Sequence, residues 1–197
     1  MLLGINTASS HSSFILIKEG KILAGEQWQS HNDEAEKLMP LIDETLRAQS
    51  LTYQNLTQIA VITGPGSFTG LRVGLTVANT LAHLLKIPVV PINTFEYWHA
   101  LSDLPILVFA GRGAVYYSKS LDAEPQILNL DEARALNLKE SAGDITEDQI
   151  AALQIHFHSA KDWLADFQKV LAAQDWPSTT FAQPLYVKQP EITASKK

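Results

Sequence analysis

The densest grouping of chemically useful residues in this 197-residue chain is Gly64-Pro65-Gly66-Ser67-Phe68-Thr69-Gly70-Leu71-Arg72-Val73-Gly74. Gly64 and Gly66 bracket a proline, so the backbone must turn sharply there. Ser67 or Thr69 can cap the helix that follows, and the first backbone N–H groups of such a helix, lacking internal partners, can hold an anion. Arg72 stands one turn later on a stretch otherwise almost free of charge, where an arginine calls for a carboxylate, a phosphate or a partner surface. The loop lacks both the Gly-Lys-Ser/Thr ending of a Walker loop and the three-glycine spacing of the dinucleotide fingerprint. A second polar group, Ser9-Ser10 and Ser12-Ser13, falls in an expected hairpin turn, where hydroxyls serve ordinary turn chemistry or an anion. Ser9, Ser10, Gly64, Gly66, Ser67 and Thr69 are therefore the candidate nucleotide or anion loop.

Metal and nucleophile chemistry find little support. His31 has Asp33, Glu34 and Glu36 nearby, but these acids are expected to sit in solvent and favour the start of a helix dipole. His156 and His158 flank Phe157 and would share one face of a strand without a third ligand. His83 and His99 stand alone. There is no Gly-x-Ser-x-Gly elbow and no cysteine. No catalytic set and no metal site are expected.

The elements that must position these groups can be read from hydrophobic period. Leu2 to Thr7 is a buried strand, and Ser13 to Lys18 a second, with Phe14 and Leu16 on one face and Ile15 and Ile17 on the other. Glu19-Gly20-Lys21 turns into a third from Ile22 to Trp28. Ala35, Leu38, Met39, Ile42, Thr45 and Leu46 then recur at helical spacing, with Asn32 or Ser30 as cap and Pro40 kinking the helix or marking a late start. Ile59 to Thr63 is a buried strand leading into the glycine-bearing corner. The helix beyond carries Leu71, Val73, Leu75, Val77, Ala78, Leu81 and Leu84, with Gly70 and Gly74 on one face for close approach. A strand from Pro88 to Ile92 and a short helix capped by Thr94 complete a unit over residues 1–102.

A smaller unit, 103–197, is expected to hold strands from Pro105 to Ala110, Ala114 to Ser120 and Gln126 to Leu130. Thr146-Glu147-Asp148-Gln149 and Ser159-Ala160-Lys161-Asp162 have capping-box spacing, the latter opening a helix on Trp163, Leu164, Phe167, Val170 and Leu171. No sequence repeat is visible. The hydrophobic content of 46% suits a folded core, while a formal charge of −6 argues against unaided binding to a polyanion. No apolar run approaches the about 20 residues that cross a bilayer. The expected location is the cytoplasm.

The run from Gly64 to Gly74 resembles the signature of the TsaB (YeaZ) family, the accessory subunit in making threonylcarbamoyladenosine in tRNA. The opening Leu2-Leu3-Gly4-Ile5-Asn6-Thr7-Ala8 and the segment Leu38-Met39-Pro40-Leu41-Ile42-Asp43-Glu44 are similar to the same family; past residue 103 the match fades. The resemblance implies an α/β, ribonuclease-H-like fold of the actin, chaperone and sugar-kinase superfamily, with a complete first domain and a reduced second one. It implies a heterodimer with a TsaD-type catalytic subunit, joined by a TsaE-type ATPase, with tRNA reached only through the complex. No cofactor is intrinsic on this reading; ATP or ADP would sit at the shared interface. Leu38, Met39, Ile42, Phe68, Gly70, Leu71, Arg72 and Gly74 are its implied interface residues, and without the partner the same surface can form a homodimer. Departures from the family pattern are Asn6 and Phe109, each where aspartate is usual, Ala114 for glutamate, and Lys188 for arginine in the run from Pro184. His31 is followed at four residues by Ala35, so the His-x-x-x-His metal pair of TsaD is absent. The alternatives are a small-molecule phosphotransferase or nucleotide hydrolase using the serine hairpin and the glycine loop, and a metalloprotease.

Overall fold

The computed structural model describes residues 1–187; Lys188 and the lysine-rich residues beyond it lie outside them. The first sheet contains β1 (Leu2–Asn6), β2 (His11–Lys18), β3 (Lys21–Gln29), β4 (Gln58–Gly64) and β5 (Val89–Asn93), in the order β3-β2-β1-β4-β5. The meander β1–β3 is antiparallel, and β4 and β5 add in parallel. Parallel addition needs crossovers, supplied by α1 (Glu34–Ala48) and α2 (Phe68–Leu85). Side-chain alternation places Phe14 and Leu16 in one core with Leu3, Ile5, Leu38, Ile42 and Leu75, under α1 and α2. Ile15 and Ile17 enter the other core with Phe95 and Trp98 of α3 (Thr94–His99) and Trp163 and Phe167 of α6 (Trp163–Ala173).

The second sheet contains β6 (Ile106–Phe109), β7 (Ala114–Ser118), β8 (Gln126–Asn129), β9 (Glu140–Asp144) and β10 (His156–Ser159), ordered β10-β9-β6-β7-β8. Helix α4 (Leu130–Ala135) follows β8, and α5 (Glu147–Leu153) joins β9 to β10. Numbered within each unit, both sheets have one strand order: a meander of three, then two parallel strands on the side of the first. The repeat invisible in the sequence is thus present in the topology. It hides because only the alternation and the turn positions need repeat, not the residues.

Several boundaries differ from the sequence expectation for local reasons. Helix α1 begins at Glu34 after Asp33, whose carbonyl accepts from Glu36 N–H and Lys37 N–H, so neither Asn32 nor Ser30 caps it. Pro40 lies inside it. Asn93, not Thr94, caps α3, accepting from Phe95 N–H while Glu96 reaches back to the Asn93 N–H. Asp162, not Ser159, caps α6. That helix follows the second sheet in sequence yet packs on β2 and β3 of the first, where the Trp163 N–H donates to Gln27 Oε1.

Candidate functional site

The corner between β4 and α2 is built by close approach of backbone to backbone. Gly64 has φ 103° and is followed by a cis bond to Pro65. Ser67 accepts from Gly70 N–H at 3.3 Å and caps α2, while its own N–H donates to the Ala8 carbonyl at 2.8 Å. A Cβ on Gly66 would overlap the Ala8 carbonyl, one on Gly70 the Thr7 carbonyl, and one on Gly74 the Thr7 hydroxyl. The Thr7 hydroxyl donates to the Gly70 carbonyl at 2.7 Å. The face of Gly70 and Gly74 expected to admit a partner is therefore filled by the end of β1 in the same chain.

Burial corrects other interface assignments too. Leu38 and Ile42 are wholly enclosed and Leu71 is 2% exposed, so none can touch a partner without unfolding the core. Apolar period shows that a face is covered, not what covers it. Met39 is half-buried; Phe68, Thr69 and Arg72 are exposed. The outward face of α2 carries Arg72, Thr76, Thr80, His83 and Leu84, more polar than its apolar content implied.

Within the chain Arg72 meets an aromatic face: its guanidinium stands 4.1 Å over the Phe68 ring centre. Phe68 in turn lies 5.8 Å from the Tyr186 ring. Residues 179–187 run along α2, held by reciprocal bonds between the Asn79 side chain and the Ala182 backbone, 2.9 and 2.8 Å, and by Leu185 N–H to the Thr63 carbonyl, 2.8 Å. Phe68 is 42% exposed; Phe181, 59% exposed, and Tyr186 line a shallow groove with Arg72, Thr76, Asn79 and Thr80.

The serine hairpin opens on a different place, a cleft of about 250 Å³ between the sheets, lined by Ala8, Ser9, Ser10, Gln29, Ser30, Ser67, Val108, Phe109, Asp144, Ile145 and Thr146. Of the candidate anion loop, Ser9, Ser10 and Ser67 meet here, whereas Gly64, Gly66 and Thr69 do not line it. Asn6, buried on β1, accepts from Ala8 N–H at 3.1 Å and donates to Ser9 Oγ at 3.1 Å, tying the turn. Phe109 forms part of the cleft wall, so the residue that replaces the family's aspartate adds apolar surface to it.

Asp144 was not foreseen. It is 8% exposed and accepts the Ser10 N–H at 2.7 Å and the Ser10 hydroxyl at 2.6 Å. Burial pushes its carboxyl above the ordinary range, and the two Ser10 bonds oppose the shift. Glu34 was expected in solvent but is 1% exposed, accepting from the hydroxyls of Ser30 and Ser12. Asp33, by contrast, stands at the surface, with its carboxyl held below the usual range by the Lys37 hydrogen bond. His158 pairs with Glu140 at 3.2 Å beside His156, yet among the described residues no group of three histidine, cysteine, aspartate or glutamate side chains is placed to hold a metal.

Duplicated sheets, a helix-start corner and an inter-sheet cleft define a two-lobed α/β protein with a ribonuclease-H-like fold. YeaZ from Pseudomonas aeruginosa aligns over 94% of this chain and 99% of its own, with TM-score 0.73 and 18% identity. A second solved structure, titled an uncharacterized protein from the same organism with similarity to peptidase YEAZ, aligns over 95% and 99% with TM-score 0.72 and 20% identity. At such identity these two establish the fold alone. The family model for TsaD, tRNA N6-adenosine threonylcarbamoyltransferase, matches residues 29–162. The tRNA threonylcarbamoyladenosine biosynthesis protein TsaB of Bacillus subtilis is 32% identical over 95 residues, 48% of this chain and 42% of the relative. That of Haemophilus influenzae is 30% identical over 132 residues, 60% and 52%. The chain belongs to the family this model describes, and the relatives it resembles within it carry the TsaB name. It spans about half the length of these curated relatives.

Proposed function

We propose that the chain is a non-catalytic partner subunit in the synthesis of threonylcarbamoyladenosine in tRNA, docking a TsaD-type catalytic subunit through Phe68, Arg72, Phe181 and Tyr186. The observation that carries this reading is the arginine held over an exposed phenylalanine at the tip of the glycine-bearing corner, 4.1 Å from guanidinium to ring centre. Aromatic rings left in water are poorly hydrated, and aromatic and arginine side chains are the types enriched where partners make their strongest contacts. The pathway comes from the relatives' names. A TsaE-type ATPase and tRNA join through the complex; a net charge of −6 disfavours unaided binding of a polyanion. Among the described residues the cleft lining has no lysine or arginine, which favours placing ATP or ADP at the shared interface over a phosphotransferase site in the cleft. No helix among the described residues is long and apolar enough to cross a membrane, in keeping with work in the cytoplasm on tRNA. Alone, the same patch pairs two copies about a two-fold axis.

Co-purification with the cognate TsaD-type subunit tests the proposal. Phe68→Asp and Arg72→Glu, both at exposed positions, are expected to weaken the complex about thirtyfold or more, as loss of a strong interface anchor does, with melting of the free chain unchanged. Full complex formation by both variants refutes the assigned surface.

A further inference from the structure

Ser10 and Asp144 lie 134 positions apart, on the two walls of the cleft. Ser10 presents both of its donors to one carboxylate: its N–H to Oδ2 at 2.7 Å and its hydroxyl to Oδ1 at 2.6 Å. Two donors from one residue, directed at the two oxygens of one carboxylate, form a forked anion seat, and the charge-assisted bonds made there are roughly twice as strong as neutral ones. On the donor side the seat is fixed by Asn6, which ties Ala8 and Ser9. On the acceptor side Asp144 ends β9 just after Gly143, whose φ of 134° and close approach to the Leu107 backbone fix β9 against β6. Every other lining residue is uncharged among those described. A phosphate or carboxylate that takes these two donors must displace Asp144 and meet its like charge.

We infer that Asp144 is a built-in occupant of this anion seat, latching the two sheets together across the cleft and closing it to free phosphate and carboxylate ligands. The latch is independent of any partner protein.

Amide hydrogen exchange on the full chain, alone and with millimolar inorganic phosphate, tests it. Asp144→Asn keeps the volume but turns one acceptor into a donor. It is expected to speed exchange about tenfold or more at the backbone of 9–12 and of 143–146 together, since losing a charge-assisted bond typically costs that factor. Ser10→Ala, at an exposed position, removes the hydroxyl bond alone and is expected to raise exchange in the same two segments by less. Asp144→Ala vacates the seat, and phosphate is then expected to restore protection at Ser10 while leaving the native chain unaffected. Faster exchange confined to 143–146 in both Asp144→Asn and Ser10→Ala overturns the latch. Protection of Ser10 by phosphate in the native chain equal to that in Asp144→Ala overturns the closed seat.

Discussion

The two lobes solve one packing problem in two ways. In each, the turn between the first two strands must meet the start of the helix that follows the fourth. In the first lobe the meeting is of backbones: Gly66, just before α2, and Gly70 within it lie directly against Ala8 and Thr7. In the second lobe the turn at Gly111-Arg112-Gly113 stands off, and a Cβ on Gly111 or Gly113 would meet nothing within 4 Å. A side chain spans that gap: Gln149 of α5, 1% exposed, donates to the carbonyls of Gly111 and Ala114 at 2.8 and 3.0 Å. Glycines in a turn thus read alike in sequence yet mark either a contact without room for a methyl group or mere freedom of the chain. A helix of 18 residues rises from the first corner and one of 7 from the second. Close backbone docking accompanies the long element, and side-chain bridging the short one.

The largest effect expected from breaking this contrast is that of Gly70→Val. The added atoms fall on the Thr7 backbone, which cannot rotate away, so the cost is about 3 kcal/mol or more, and thermal denaturation should show a large loss of Tm. Gly113→Ala, by contrast, should change stability by less than about 0.5 kcal/mol. Equal losses in the two would erase the distinction.

Gln149→Ala comes next. It strips the Gly111 and Ala114 carbonyls of their buried donor and is expected to cost about 1–3 kcal/mol in urea denaturation. Gln149→Glu keeps the acceptor that the Thr146 N–H uses but offers the two carbonyls no donor, and it should leave most of the loss in place.

The smallest effect is on pH dependence. The far end of β7 is held to the first lobe by His99 Nε2 and Ser118 Oγ, 2.9 Å apart. Burial lowers the His99 pKa below 6.5, with the Ser102 bond and Asp103 opposing. The unfolded chain therefore binds this proton more readily than the folded one. Stability contributed by His99 should be full above about pH 6.5 and fall as pH drops through the lowered value. Melting curves of His99→Gln should lack that slope, and an unchanged slope would assign it to other groups.

What the sequence made legible was local. The Ser67 cap, the Thr146–Gln149 box and the opposed faces of β2 each depend on residues within a few positions of one another, and each stands as read. The first five strands and the two long helices follow for the same reason. What escaped depended on distance along the chain. Nothing in Glu140-Ser141-Ala142-Gly143-Asp144 suggests a strand or a buried acid, because the donor that makes burial tolerable is Ser10. Leu38, Ile42 and Leu71 read as apolar and suit a docking face as well as a core, since period alone does not tell the two apart; burial puts them in the core. The cover that residues 179–187 lay over α2 left no trace in composition; it rests on an asparagine and on backbone groups any sequence possesses.

One pairing bears on how the molecule is made. Val89 exchanges both backbone bonds with Thr179, at 2.8 and 2.7 Å, on β5, the outermost strand of its sheet. Synthesis delivers β5 long before Thr179 emerges from the ribosome. Throughout that interval the Val89 end of this edge is bare and can recruit a strand from a neighbouring polypeptide. Translation speed over the second lobe therefore sets how long Val89 is open to mispairing in each newborn molecule.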